Sequence, residues 1–439
     1  MFFAPEIDAL VSQCRLAAAR AALDAVAAET PSRRERLHRT RAFVHALAGN
    51  DRGIAATALP ELLACRDAAA TAEYLGTIED ADETDYLTAA VVLTWSGEPE
   101  GAYEHFRIAN ELAVASRRFY LASAIKERFA HHALLFGDVE AARAAIDGAV
   151  ETAASHRFAG WLARTLAAAA RIALDAGDLE RTAALLERAR NEVRHRAALA
   201  LFAGTGAQLA IETANDSALR GWVSEGILDV ALGDDSAGER AAATIAALVG
   251  STVFPAGARL ASAVRRALLQ ADSAASEPTL FAVAARYAML EDARFAAAAL
   301  RAVAAPGRRY LRAHELLARA HVSFRSGEEG GWIDYAGDAA REFNAMGLRR
   351  WTNEAMLLLV RQEREAHRSE RRGRSTGTSL TGREQQVANL IRRGARNREV
   401  AVALQISEHT VERHVSSILG RLGLRSRWQI VDPAKTTER

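Results

Sequence analysis

Apolar side chains recur along this chain at helical spacing, and no run alternates apolar and polar positions as a half-buried strand would. Helical stretches fill roughly the first ninety residues and break at caps such as Thr30-Pro31, where Thr can cap and Pro suits the first helical position. From there one layout repeats. The segments WSGEPEGAYEHFRIA, LFGDVEAARAAIDGA and DAGDLERTAALLERA carry Gly97-Glu98, Gly137-Asp138 and Gly177-Asp178, spaced 40 residues both times. A small residue lies at or beside the fifth position after each Gly: Ala102, Ala142 and Thr182/Ala183. A larger apolar one follows at the ninth (Phe106, Ile146, Leu186) and an Ala at the twelfth (Ala109, Ala149, Ala189).

Each Gly is expected to end one helix in the left-handed conformation. The acid then falls in the first turn of the next helix, where the macrodipole favours it, and the small residues let paired helices approach closely. Weaker echoes at Gly233-Asp234 and Gly327-Glu328 carry the pattern irregularly to about residue 360. The layout resembles tetratricopeptide-type helical hairpins with a period longer than the usual value of about 34. The expected fold is therefore all-α: an irregular tetratricopeptide-like helical-repeat solenoid over 1–360, then a different C-terminal part.

Composition agrees with helices. Half the residues are hydrophobic and only 6% aromatic, and the apolar set is rich in Ala, which has the best helix propensity. The long uncharged stretch from Ala241 to Ala258 holds Gly250, Ser251, Thr252, Pro255 and Gly257, so it reads as a helix and a loop, not a membrane span. The start MFFAPEIDAL lacks the basic n-region of a signal peptide. Cys14 and Cys65 make no framework or metal motif and are expected as small buried side chains in a reducing cytoplasm.

Net charge is +1, but its distribution is uneven. Residues 361–431 hold 15 basic and 7 acidic side chains, while the preceding body is acidic overall. A basic end on an acidic body fits a chain that meets nucleic acid at that end only. Between the two parts, residues 361–379 read as a linker: a fading Arg/Glu-rich helix end, then the polar stretch Gly373 to Ser379. Such a tether lets the following module reorient.

A new pattern begins at Leu380: LTGREQQVANLIRRGARNREVAVALQISEHTVERHVSSILGRLGLRSRWQIV. Thr381 and Glu384, three residues apart, form a capping box. Val387, Leu390 and Ile391 make the inner face of a helix that Gly394 ends. Asn397 is placed to cap a short second helix running to about Leu404, with Val400, Ala401 and Leu404 inward. After the turn Gln405-Ile406-Ser407, Ser407 caps a third helix whose Val411, Val415, Ile418, Leu419 and Leu422 form one stripe.

A short helix, a tight turn and a longer helix define a helix-turn-helix at about 397–416, whose second helix is expected in the major groove of DNA. Opposite the stripe lie His409, Arg413, Ser416 and Ser417, flanked by Thr410 and Glu412, as base-reading candidates. Arg396, Arg398, Ser407, Arg421, Arg425 and Arg427 are the phosphate candidates. Glu408 suits the positive end of its helix. Glu412 can accept a hydrogen bond from a cytosine amino group, or orient Arg413 or His409.

These residues are similar to the LuxR-type helix-turn-helix. The matches are Leu380-Thr381-x-Arg383-Glu384, Gly394, Asn397-Arg398-Glu399-Val400-Ala401, Leu404-x-Ile406-Ser407, Thr410-Val411-x-x-His414, Ile418, Leu422 and Arg425-x-Arg427. The resemblance implies a small tetrahelical domain over 380–439 and double-stranded DNA as partner. It also implies transcription regulation in a bacterial cytoplasm, a homodimer on DNA and a contact with RNA polymerase. The body resembles, more loosely, the helical-repeat region of the large MalT-like members, notably in AREFNAMGLRRWTNEA. Their ATP-binding domain has no counterpart here: no GxxxxGK[ST] occurs, and Lys126 and Lys435 are the only lysines. No receiver domain with alternating strands is evident. The family's fourth helix usually continues past the position of Ile430-Val431, where Asp432-Pro433 is expected to stop it; this bears on dimerisation through that helix.

Other candidate chemistry is sparse. His131-His132 has no acid or Cys at metal-ligand spacing, so one His is expected packed and the other solvated. Gly204-Thr205-Gly206 lacks the strand and third glycine of a dinucleotide loop and reads as a helix break. No nucleophile–base pair, metal cluster or phosphate loop is recognisable, so neither an enzyme nor a cofactor is expected. The expected function is a DNA-binding regulator whose repeats sense a small molecule or protein and control promoter binding. The alternative is an interaction scaffold for which the DNA-binding domain is mainly a tether.

Overall fold

The computed structural model describes residues 5–26, 30–48, 67–193, 196–222, 293–304, 307–325, 331–370, 380–422, 424 and 426–431. All regular structure among them is helical. The body opens with α1 (Pro5–Ser12), α2 (Leu16–Asp24), α3 (Pro31–Ala48) and α4 (Ala68–Gly76). The paired helices α5 (Glu83–Ser96) and α6 (Pro99–Ala115), α7 (Phe119–Phe136) and α8 (Val139–Ser155), α9 (Ala159–Asp175) and α10 (Leu179–Glu192), and α11 (Arg196–Glu212) and α12 (Asp216–Trp222) follow. A second group comprises α13 (Ala293–Val303), α14 (Arg309–Arg325), α15 (Gly331–Ala345) and α16 (Arg349–Glu370). The C-terminal module holds α17 (Gly382–Arg392), α18 (Asn397–Leu404), α19 (Glu408–Leu422) and α20 (Trp428–Val431). Together these make an all-α solenoid followed by a helix-turn-helix.

The repeat positions do what their chemistry requires. Gly97, Gly137 and Gly177 end α5, α7 and α9 with φ of 84°, 92° and 78°, the left-handed region that only Gly enters without strain. Ala102, Ala142 and Thr182, then Phe106, Ile146 and Leu186, then Ala109, Ala149 and Ala189 are all buried. Burying each larger side chain contributes about 2 kcal/mol, and the alanines keep neighbouring helices close. The acids sit one position earlier than expected. Asp138 and Asp178 are N-caps, accepting from the amides of Ala141 (2.9 Å) and Arg181 (3.1 Å), while Glu98 caps without its side chain ahead of Pro99. The intervening turns repeat too: Arg117 and Arg157, also 40 apart, take φ of 58° and 57°.

The second group of helices lies across the row of glycine turns. Arg308 donates to the Trp95 carbonyl at the end of α5 (2.8 Å). A Cβ at Gly137 would lie 3.0 Å from Met346 Sδ, and one at Gly177 would lie 3.4 Å from Arg349 Cβ. The deepest contact is polar. Tyr310 donates to Asp175 Oδ2 (2.8 Å), Arg350 Nη1 lies 3.5 Å from Asp175 Oδ1, and Arg350 Nε donates to Glu212 Oε1. Burial pushes the Asp175 carboxyl up, with Arg350 and Arg171 holding it back; burial pulls Arg171 down to about 10. Cations at the carboxyl ends of α5 and α9 also meet the negative pole of each helix.

Several local expectations change. Gly204-Thr205-Gly206 lies inside α11 and does not break it. A Cβ on Gly206 would fall 2.2 Å from Trp222, so that glycine admits an indole ring. His131 and His132 are both buried. His132 Nδ1 lies 2.8 Å from Thr94 Oγ1, and burial lowers its pKa to about 4. Cys14 is only half-buried, at a left-handed turn between α1 and α2. Thr30 caps α3 through the amide of Arg33 (3.3 Å), with Pro31 as first helical residue. Cys65, Gly233-Asp234, Ala241 to Ala258 and Gly327-Glu328 lie outside the described residues. Among the described residues, no helix is long and apolar enough to cross a membrane.

Helix α16 joins the two parts of the chain. Its start carries Arg350 and Trp351 into the body, and it continues to Glu370, so the boundary expected at 360/361 falls inside a helix. Val360, 4% exposed, is buried in the core of the C-terminal module, with Met356 packed beside it.

Candidate nucleic-acid interface

The module is assembled around Val387, Leu390, Ile391, Val400, Leu404, Val411 and Ile418, all buried. Its first helix starts as the sequence requires. Thr381 N donates to Glu384 Oε2 (2.7 Å) and Glu384 N to Thr381 Oγ1 (3.4 Å), a complete capping box. Gly394, with φ of 82°, follows the opposite, C-terminal end of that helix. At α18 the cap lies one residue before the expected Asn397. The Arg396 amide donates to Glu399 Oε2 (2.7 Å), and Asn397 Oδ1 accepts from Arg427. Gln405 takes φ of 52° in the turn. Ser407 Oγ then accepts from the Thr410 amide (3.1 Å) and lies 2.8 Å from Thr410 Oγ1, capping α19.

The outer face of α19 carries His409, Glu412, Arg413 and Ser416 together in solvent. His409 and Glu412 are 82% and 62% exposed, and His409 Nδ1 lies 3.7 Å from Glu412 Oε2. Thr410 is half-buried beside Ser407. Ser417 is turned away from this face: its hydroxyl donates to Glu384 Oε1 of α17. One step past Ser416 along the helix carries it round to the side that α17 covers. Leu422, expected in the buried stripe, is 39% exposed; the stripe reaches the edge of the core there, at the last residue of α19.

The phosphate candidates divide. Arg396 and Arg398 are exposed at the start of α18, and Ser407 is exposed at the start of α19. Arg427 is half-buried and donates to Asn397 Oδ1 and to the Ala395 carbonyl, bracing the turn before α18. Burial pulls its guanidinium below the ordinary value, with Glu399 acting in the opposite direction. Its position near the basic flank gave no sign of that internal role; the Asn397 side chain opposite it would have been the signal. The side chains of Arg421 and Arg425 lie outside the described residues.

What the arrangement can do follows from its shape and charge. A convex helix with two acceptor–donor side chains, flanked by exposed guanidinium groups at helix starts, fits a groove lined by phosphates. The class defined by this geometry is a helix-turn-helix DNA-binding module. Residues 378–434 match the family of bacterial regulatory proteins, luxR family. The chain is also 41% identical over 64 residues to the Fimbriae Z proteins of Escherichia coli strain K12 and of Escherichia coli O157:H7. Those matches cover 15% of this chain and 30% of each relative, so the chain spans under a third of their length.

Proposed function

We propose that the chain is a sequence-specific DNA-binding transcription regulator. The observation that carries this reading is the exposed quartet His409, Glu412, Arg413 and Ser416 on a capped helix, with Arg396 and Arg398 exposed beside it. The similarity of residues 378–434 to luxR-family regulators supports it. Phosphate contacts from the arginines supply affinity, and α19 supplies sequence choice. On DNA the protein acts as a homodimer and contacts RNA polymerase.

The body is the sensing part. In this reading its repeats take a small molecule or a protein partner, and occupancy alters promoter binding. Helix α16 is the support for that coupling, because Arg350 joins the body's buried network while Val360 joins the module's core.

Binding of the full chain to duplex DNA, measured against salt concentration, tests the reading. Affinity is expected to fall steeply with salt, with a slope of several phosphates. Arg413→Ala should erode sequence preference more than affinity for unrelated DNA. A chain whose DNA binding shows no salt dependence is not this regulator. Val360→Ala, which trims the contact of α16 with the module's core without burying a charge, should weaken any response to an effector more than it weakens DNA affinity.

A further inference from the structure

A helix that reads bases must be held in rotation as well as in position. A turn of about 20° moves a side-chain end ~5 Å from the axis by about 2 Å, far more than a hydrogen bond to a base edge tolerates. The apolar contacts of Val411 and Ile418 fix which face of α19 lies inside, but they lack the directional preference of a hydrogen bond. Two adjacent side chains at the start of α17 supply what the apolar core lacks.

Glu384 uses its two carboxylate oxygens for different helices. Oε2 accepts from Thr381 N (2.7 Å) and Thr381 Oγ1 (2.8 Å), which completes the cap of its own helix. Oε1 accepts from the Ser417 hydroxyl of α19. Glu384 is 4% exposed, and a hydrogen bond to its carboxyl oxygen is directional where apolar contact is not. Its neighbour Arg383 donates from Nη2 to the Leu404 carbonyl (2.6 Å) and from Nη1 to Gln386 Oε1 (2.8 Å). Leu404 ends α18, where carbonyls have no partner within the helix. Residues 383 and 384 thus hold the end of α18 and the middle of α19, on either side of the turn Gln405-Ile406-Ser407.

We propose that Glu384 is a positioning residue for base reading: through Ser417 it sets the rotation of α19, with Arg383 setting the end of α18. The inference rests on the DNA-reading assignment above. It removes Ser417 from the base-contacting set and gives it a part in presenting His409, Glu412, Arg413 and Ser416 together.

The experiment uses the full chain. Wild-type protein selects duplexes from a random library. Affinities for the selected duplex and for an unrelated duplex of equal length are then measured for wild type, Ser417→Ala and Ser417→Asn. For Ser417→Ala the ratio of the two affinities should fall about tenfold. Affinity for the unrelated duplex and the salt slope should stay within about twofold, since no phosphate contact is lost. Selection repeated with Ser417→Ala should return the same sequence, weakened at every read position. Ser417→Asn, which can still donate to Glu384, should recover most of the ratio. An unchanged ratio in Ser417→Ala overturns the proposal. So does a change confined to one base pair, which would make Ser417 a base reader, or a failure of Ser417→Asn to recover. Wild-type protein that selects no sequence overturns the DNA-reading assignment and this inference with it.

Discussion

In the helical body, charged groups are drawn inside and paired: Asp175 lies between Tyr310 and Arg350, and Glu127 between Arg128 and Arg164. In the C-terminal module Arg396, Arg398 and Arg413 stand in solvent, and their guanidinium groups make no ion pair among the described residues. The difference teaches how one chemistry serves two ends. A buried pair repays its desolvation only in one geometry, so it locks helices in register. An exposed cation has paid no desolvation and keeps its charge for a polyanion. Helix α16 belongs to both regimes, with Arg350 at one end and Val360 further on.

The largest effect expected from breaking this contrast is in the body. Asp175→Ala leaves Arg350 and Tyr310 without their shared acceptor and should destabilise the fold by about 3–5 kcal/mol, read by urea unfolding. A loss below about 1 kcal/mol would show that the pair is not a lock. Acid should act next. His132 titrates at about 4 in the fold against an ordinary value of 6.5, so the unfolded chain takes up the proton first. Its contribution is intact above pH 6.5 and falls by roughly 3 kcal/mol as pH drops towards 4. Thermal unfolding across that window should be flatter for His132→Gln, and an unaltered slope would place the titration elsewhere.

The glycine turns sharpen the picture further. Gly97→Ala meets only backbone strain, about 1–2 kcal/mol, because nothing lies within 4 Å of the new methyl. Gly137→Ala meets the same strain and Met346 at 3.0 Å, so its melting temperature should fall further than that of Gly97→Ala. The smallest stability change belongs to the module's exposed cations. Arg396→Ala and Arg398→Ala should leave stability within about 0.5 kcal/mol of wild type and each reduce the salt slope of DNA binding by about one. Equal slopes would remove those residues from the phosphate-binding set.

Much of this was legible in the chain. The 40-residue spacing of Gly97, Gly137 and Gly177 declared the hairpins, since left-handed helix ends admit few other residues. The capping box of Thr381 and Glu384 and the stripe through Val411 and Ile418 declared the module. What spacing did not reveal are the roles of residues whose partners are distant in sequence. Gly206 serves Trp222, Ser417 serves Glu384, and Arg427 serves Asn397 and Ala395. His131 and His132 are adjacent, yet both are buried, because neighbouring helices close over the two sides of α7.

By itself the sequence determined what depends on local backbone and periodicity: helix content, the glycine turns, the caps at Thr30, Thr381 and Ser407, and most of the inner stripe of α19. Those follow from interactions within a few residues, and no long-range information is needed to read them. Only the tertiary structure decided that the second group of helices crosses the glycine turns, that Asp175 and Arg350 meet, and that α16 enters the module's core. It also decided which polar side chains on α19 and around it stand in solvent and which hold the module together. Those outcomes depend on partners tens to hundreds of residues away, where burial and pairing, not spacing, choose the role of each charge.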